Sequence, residues 1–205
     1  MDKKKETVVL YSDAALRLLK GREGDRSINQ YPIYGLMQFA KRNSLIWDDA
    51  KNKNPYAVWF LIRLDKKQDA VQATLDRYSC LFKDSYNDGS GVDYQEILFN
   101  EESFPLDFKT PYSWNAMRHI KQFDSLFLKA AKLNNIGLMK KPEFNAFIRE
   151  VNKVVAASFN EASFYVTLEL SIEDIKNKTE NSKKAAKKMG IVPSKILNKE
   201  IVPYY

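Results

Sequence analysis

Asn54-Pro55 constrains this chain more than any other pair of residues, because proline suits the first turn of a helix and disrupts its interior. It separates two helical patterns. Before it, Leu36, Met37, Ala40, Ser44 and Trp47 share one stripe by 3-and-4 spacing, which predicts a helix from about Ile33 to Lys51 with Lys41, Arg42, Asp48 and Asp49 mostly outward. After it a long helix is predicted to about Lys83. Its first half is dense in Trp59, Phe60, Leu61, Ile62 and Leu64, and its second half thins to Ala70, Ala73, Leu75 and Tyr78 among charges. That asymmetry predicts deep packing at one end and, at the other, partial exposure or pairing with another chain.

The same punctuation recurs downstream. Pro111-Tyr112-Ser113 introduces a fourth helix with Ser113 as its cap and Trp114, Met117, Ile120, Phe123, Phe127, Ala130 and Ala131 on its apolar side. Asn134-Asn135-Ile136-Gly137 ends it. Pro142 opens a fifth helix carrying Phe144, Phe147, Ile148, Val151 and Val155 to about Phe159. Ser171-Ile172-Glu173-Asp174 has the form of a capping box, with aspartate in the place of glutamate, and predicts a sixth, lysine-rich helix running to Met189. Gly190 stops it, and Pro193 and Pro203 predict an irregular end.

Extended segments are short. Thr7 to Tyr11 is β-branched, aliphatic or aromatic, and Ser12 or Asp13 caps a first helix bearing Ala14, Ala15, Leu18 and Leu19 up to Gly21. Gly21 to Pro32 and Asn87 to Gly91 read as loops. Val92 to Phe99 and Phe104 to Lys109 read as extended pieces around a turn, and Phe164 to Leu170 alternates like a half-buried strand. The fold class expected is mainly α with a few short β-strands. Residues 1–170 form the main helical domain, and residues 171–205 a basic C-terminal helix and tail.

The 205 residues are enough for one substantial core. A single cysteine, Cys80, excludes an internal disulfide and a thiolate metal cluster, and is expected to be structural. The start, Met-Asp-Lys-Lys-Lys-Glu, runs into a short apolar run without a long signal-type core, and no apolar stretch approaches bilayer length. A soluble, cytoplasmic chain without a membrane partner is expected. Catalysis has little to use: His119 is the one histidine, Gly21, Gly24 and Gly35 lack phosphate-cradling spacing, and the carboxylates of Asp48 and Asp49 diverge by about 100° around a helix. No catalytic residue, metal or cofactor is expected, and the chain does not read as an enzyme.

The 33 basic residues exceed the 26 acidic ones, a net charge of +7 that favours polyanions. Two surfaces are candidates for DNA. The first is the arm Lys3, Lys4, Lys5 leading into the strand, where period 2 turns Val8 and Leu10 inward and leaves Thr7, Val9 and Tyr11 to face bases. A strand followed by two helices, over about 6–51, is the order of a ribbon-helix-helix element, whose strand pairs with its twin and enters the major groove. An edge strand with a frayed lysine tail is the commoner meaning of such a pattern. The second surface is the helix with Lys183, Lys184, Lys187 and Lys188, able to neutralise phosphates without reading sequence, or equally a solvated terminal helix.

The motif words Gly35-Leu36, Phe39, Leu45-Ile46-Trp47-Asp48-Asp49-Ala50 and Asn54-Pro55-Tyr56-Ala57 with Trp59 resemble an integrating conjugative element protein family that includes the AcaB-type transcriptional regulators of conjugative plasmids. Pro105-Leu106-Asp107-Phe108 with Pro111-Tyr112, Asp124, Ile136-Gly137-Leu138 and Met189-Gly190 extend the resemblance over most of the chain. It implies a DNA-binding regulator, an activator of conjugative transfer genes on a mobile element, working on double-stranded DNA as a homodimer. The ribbon-helix-helix element, embedded in the larger helical domain, maps to the first strand and two helices. Phe164 to Leu170 with the lysine-rich helix is a rival location. A non-enzymatic interaction component of the conjugation machinery is the competing reading.

Overall fold

Pro55 and Pro111 each occupy the first position of a long helix in the computed structural model, which describes residues 6–22, 34–84 and 102–205. The order is β1 (Glu6–Leu10), α1 (Asp13–Lys20), α2 (Leu36–Lys51), α3 (Pro55–Asp84), β2 (Glu102–Leu106), α4 (Pro111–Asn135), α5 (Lys141–Ser163), α6 (Ile172–Lys176), α7 (Glu180–Met189) and α8 (Ser194–Leu197). The mainly helical class with short strands is the one the sequence predicts. Lys3, Lys4 and Lys5, most of the Gly21 to Pro32 loop, the Asn87 to Gly91 loop and the Val92 to Phe99 piece lie outside the described residues.

The helix starts follow from side-chain chemistry. Asn54 Oδ1 accepts from the amides of Tyr56 (3.0 Å) and Ala57 (3.4 Å), satisfying donors that the first turn of α3 leaves unpaired. At α4 the cap is Thr110, whose hydroxyl accepts from Ser113 N–H at 3.2 Å; Ser113, expected to cap, is already inside the helix. α3 runs antiparallel to α5, with Arg63 paired to Glu161 near one end and Arg77 paired to Glu150 at 2.6 Å near the other.

Aromatic side chains fill that seam. Phe60 meets Tyr165 at 5.3 Å between centroids, Tyr78 meets Phe147 at 4.7 Å, and Phe82 meets Phe147 at 5.1 Å, all edge-on as ring quadrupoles favour. Val71, Leu75 and Phe82 are buried in the far half of α3, while Ala70, Ala73 and Leu81 on its other sides are exposed. α4 supplies the deepest row, with Tyr112, Ala116, Met117, Ile120, Phe123 and Leu126 all buried.

Several expectations are corrected. α2 buries Leu36, Phe39, Ala40, Asn43 and Ile46, so its inward stripe is rotated from the predicted one: Met37 is exposed, and Ser44 and Trp47 are half-buried. Asn43 tolerates the core because its Nδ2 donates to Thr110 Oγ1 at 2.8 Å. Phe164 to Leu170 is not a strand. Phe164 closes α5 and is exposed, and the residues after it carry no ladder. The lysine-rich helix is two helices, broken at Asn177 to Thr179, where Lys178 adopts φ 51°. Cys80 is exposed rather than structural in the core.

The short sheet pairs β1 with β2 antiparallel, Val8 opposite Phe104 and Val9 opposite Ser103. Its seat is set by Asp124 on α4. That buried carboxylate accepts from Tyr11 N–H at 2.9 Å and from Ser12 N–H at 2.8 Å, where β1 turns into α1. Ser12 Oγ in turn caps α1 by accepting from Ala15 N–H. Gly35 matters for a different reason: a Cβ there would stand 2.2 Å from the Gly21 nitrogen, so only glycine lets the end of α1 meet the start of α2.

Charge-assisted bonds to buried amides lead to one prediction: Asp124→Ala lowers unfolding free energy by about 3 kcal/mol in urea titration, and Asp124→Asn, which keeps one acceptor, by less. Gly35→Ala should cost about 2 kcal/mol by the same measurement, through overpacking. His119 on α4 is buried, and burial, followed by the nearby Arg118 charge, lowers its pKa to about 4. The unfolded chain therefore binds a proton near pH 6.5 that the folded chain refuses until about pH 4. Stability from this residue is full above pH 6.5 and declines by up to about 3 kcal/mol as pH falls to 4; a His119→Gln variant should show a flatter decline over that window.

Candidate nucleic-acid interface

Period-2 geometry gives β1 two unlike faces. Val8 and Leu10 are buried, whereas Thr7 is exposed, Val9 half-buried and Tyr11, one residue past the strand, exposed. Antiparallel pairing places opposed residues on the same side, so Ser103 opposite Val9 and Pro105 opposite Thr7 extend the outward face. Both are exposed. The result is a small ribbon surface of short side chains, hydroxyl-bearing at Thr7 and Ser103 and apolar at Val9 and Pro105, with one tyrosine at its end. Ser103 and Pro105 have no signal in the sequence alone, because their pairing with β1 closes across more than ninety residues.

The ribbon is rigidly mounted. Inward Val8 and Leu10 join the main core, Asp124 grips the following turn, and Lys20 at the end of α1 reaches Glu102 at 2.7 Å and lies over the Phe104 ring. The sheet has two strands, so each keeps one edge without a ladder partner among the described residues. Such an edge is where a further strand adds.

Lys183, Lys184, Lys187 and Lys188 are all exposed along α7. Lys183 is paired with Glu180 at 3.0 Å, a solvated pair of small energetic weight. The opposite side of α7 buries Ser182, Ala185 and Met189. Tyr56 donates its hydroxyl to Gly190 O at 3.0 Å, and Trp59 lies beside the same glycine, so the lysine helix is seated at the start of α3. β1, in contrast, is fixed to the middle of α4. The two sets of sequence-predicted residues are thus anchored through different elements, and the Lys3 to Lys5 arm, outside the described residues, leads directly into β1.

Asp48 and Asp49 do not act as a pair: Asp48 is exposed, and Asp49 accepts from the Tyr165 hydroxyl at 2.6 Å. Among the described residues no cluster of three or more histidine, cysteine, aspartate or glutamate side chains is arranged to hold a metal ion, and no helix is long and apolar enough to cross a membrane.

The architecture has a counterpart among solved structures. The crystal structure of selenomethionine-containing AcaB from uropathogenic E. coli superposes with a TM-score of 0.60 over 96% of this chain and 95% of that one, at 10% sequence identity, which shows a common fold. No curated protein matches the chain. The family model of the transcriptional regulator AcaB matches residues 3–205, essentially the whole sequence, and that family is one of regulators rather than enzymes. The chain belongs to the AcaB family of transcriptional regulators.

Proposed function

We propose that this regulator binds promoter DNA in the cytoplasm as a homodimer and activates conjugative transfer genes of a mobile element. The observation that carries the reading is the outward face of β1. Thr7 and Val9 stand on, and Tyr11 just beyond, a strand whose inner face is locked in the core, the arrangement by which a two-stranded ribbon offers side chains to base edges in the major groove. Family membership supports regulation of transcription, and the resemblance to conjugative-element proteins supports the choice of target genes.

In the dimer, β1 meets its twin along the edge that β2 leaves unpaired, giving a sheet of order β2, β1, β1 and β2 across the two-fold axis. Thr7 and Tyr11 offer hydroxyls to bases, and Val9 offers an apolar contact such as a thymine methyl accepts. Lys3, Lys4 and Lys5 reach phosphates flanking the groove. Lys183, Lys184, Lys187 and Lys188 supply a second, sequence-independent attraction from a different part of the surface.

Fluorescence anisotropy with upstream DNA against scrambled DNA, at two salt concentrations, tests the assignment. Thr7→Ala and Tyr11→Ala should each reduce the preference for the cognate sequence roughly tenfold, by removing a base contact worth about 1–3 kcal/mol. Neutralising Lys3 to Lys5 should weaken binding to both DNAs alike and flatten the salt dependence by about one unit of logarithmic slope per lost phosphate contact. Equal loss on both DNAs from the strand and lysine variants overturns the ribbon reading. Absence of binding at low salt overturns the DNA reading and favours an interaction role in the transfer machinery.

A further inference from the structure

A cavity of about 420 Å³ lies between the C-terminal end of α1 and the middle of α5, lined by Arg17, Leu18, Gly21, Arg22, Asn152 and Ala156. The size is within the range of small-molecule sites. Its wall is amphipathic. Leu18 is buried and Ala156 half-buried, giving an apolar floor, while Arg17 and Arg22, both exposed, bring two guanidinium groups to the rim. Asn152 Oδ1 is buried and has no hydrogen-bond partner.

Those three features ask for one kind of occupant. A guanidinium is a planar fork that matches carboxylate, sulfonate or phosphate oxygens, so the rim selects an anion. The floor favours an apolar body, and an unpartnered buried acceptor favours a ligand that carries an N–H or O–H donor. We propose that the cavity binds a small organic anion with an apolar body, its charged group on Arg17 and Arg22, its body against Leu18 and Ala156, and a donor group on Asn152 Oδ1. The site stands about 12 Å, the length of α1, from the Ser12 turn that mounts the ribbon. Its existence does not depend on the DNA-binding reading.

The probe is 8-anilinonaphthalene-1-sulfonate, an apolar aromatic with a sulfonate and an N–H donor, titrated by fluorescence against the full chain. Saturable binding of one molecule per chain, displaced by decanoate, is expected. Arg17→Glu, at an exposed position, should weaken it at least tenfold, and Ala156→Trp, which fills the floor, should abolish it. Leu138→Ser, at the exposed turn between α4 and α5, should leave it unchanged and so separates the cavity from general surface binding. Circular dichroism and melting temperature establish that each variant folds; if Ala156→Trp does not, the Arg17→Glu result decides alone. No saturable binding, or affinity unchanged by Arg17→Glu, overturns the proposal.

Discussion

The Asp124 carboxylate joins parts of the chain that local preference would never bring together. Strand β1 is five residues long and α1 eight, and neither is stable alone at such a length. Two hydrogen bonds donated by backbone N–H groups to one buried carboxylate fix the corner between them, and Ser12 passes that constraint into α1 through its own cap. Once the corner is fixed, Val8 and Leu10 have a defined inward direction, and the outward direction of Thr7 and Val9 follows from the pleat. The orientation of the ribbon is thus set from the body of the protein rather than from the ribbon itself.

Long helices were the most legible part of the sequence. Pro55, Pro111 and Pro142 punctuate them, and runs of 23 to 30 residues carry enough periodic apolar positions to reveal α3, α4 and α5. The phase of α2 was harder to read. Its apolar residues cover a broad arc, and the choice between the Met37–Trp47 side and the Phe39–Ile46 side depends on Phe159, which stacks on Phe39 at 5.1 Å, and on Thr110, which makes a buried Asn43 acceptable. Those partners are tertiary facts with no local trace. Phe164 to Leu170 misled for the converse reason. Its alternation holds in burial only from Val166 to Leu170: Phe164 is exposed and Tyr165 buried, the reverse of the expected phase, and among the described residues no neighbouring strand supplies a ladder.

The candidate interface divides along the same line. Alternation in Thr7 to Tyr11 and the exposure of the α7 lysines were readable, since each rests on local period and charge. Ser103 and Pro105, the other half of the outward face, were not, because register between distant strands is chosen by the core beneath them. The break at Asn177 to Thr179 also escaped the pattern: Lys178 in the left-handed region carries no glycine to announce it. Its effect is to let α7 bury its Ala185 and Met189 side, with Met189 Sδ accepting from Val166 N–H at 3.2 Å, where a continuous helix would have held a different line.

The separation of 112 residues between Ser12 and Asp124 gives the protein a history as well as a shape. During synthesis the N-terminal strand emerges first, yet both its ladder partner in β2 and the carboxylate that orients its turn are made much later, several seconds on at about 5–20 residues per second. Through that interval the strand is an open edge with no assigned direction. A nascent chain therefore has its most partner-seeking segment exposed before the body that disciplines it exists, and the outward face takes its fixed direction only when α4 closes the corner, so that the strand made early is oriented only after more than half of the 205 residues are made.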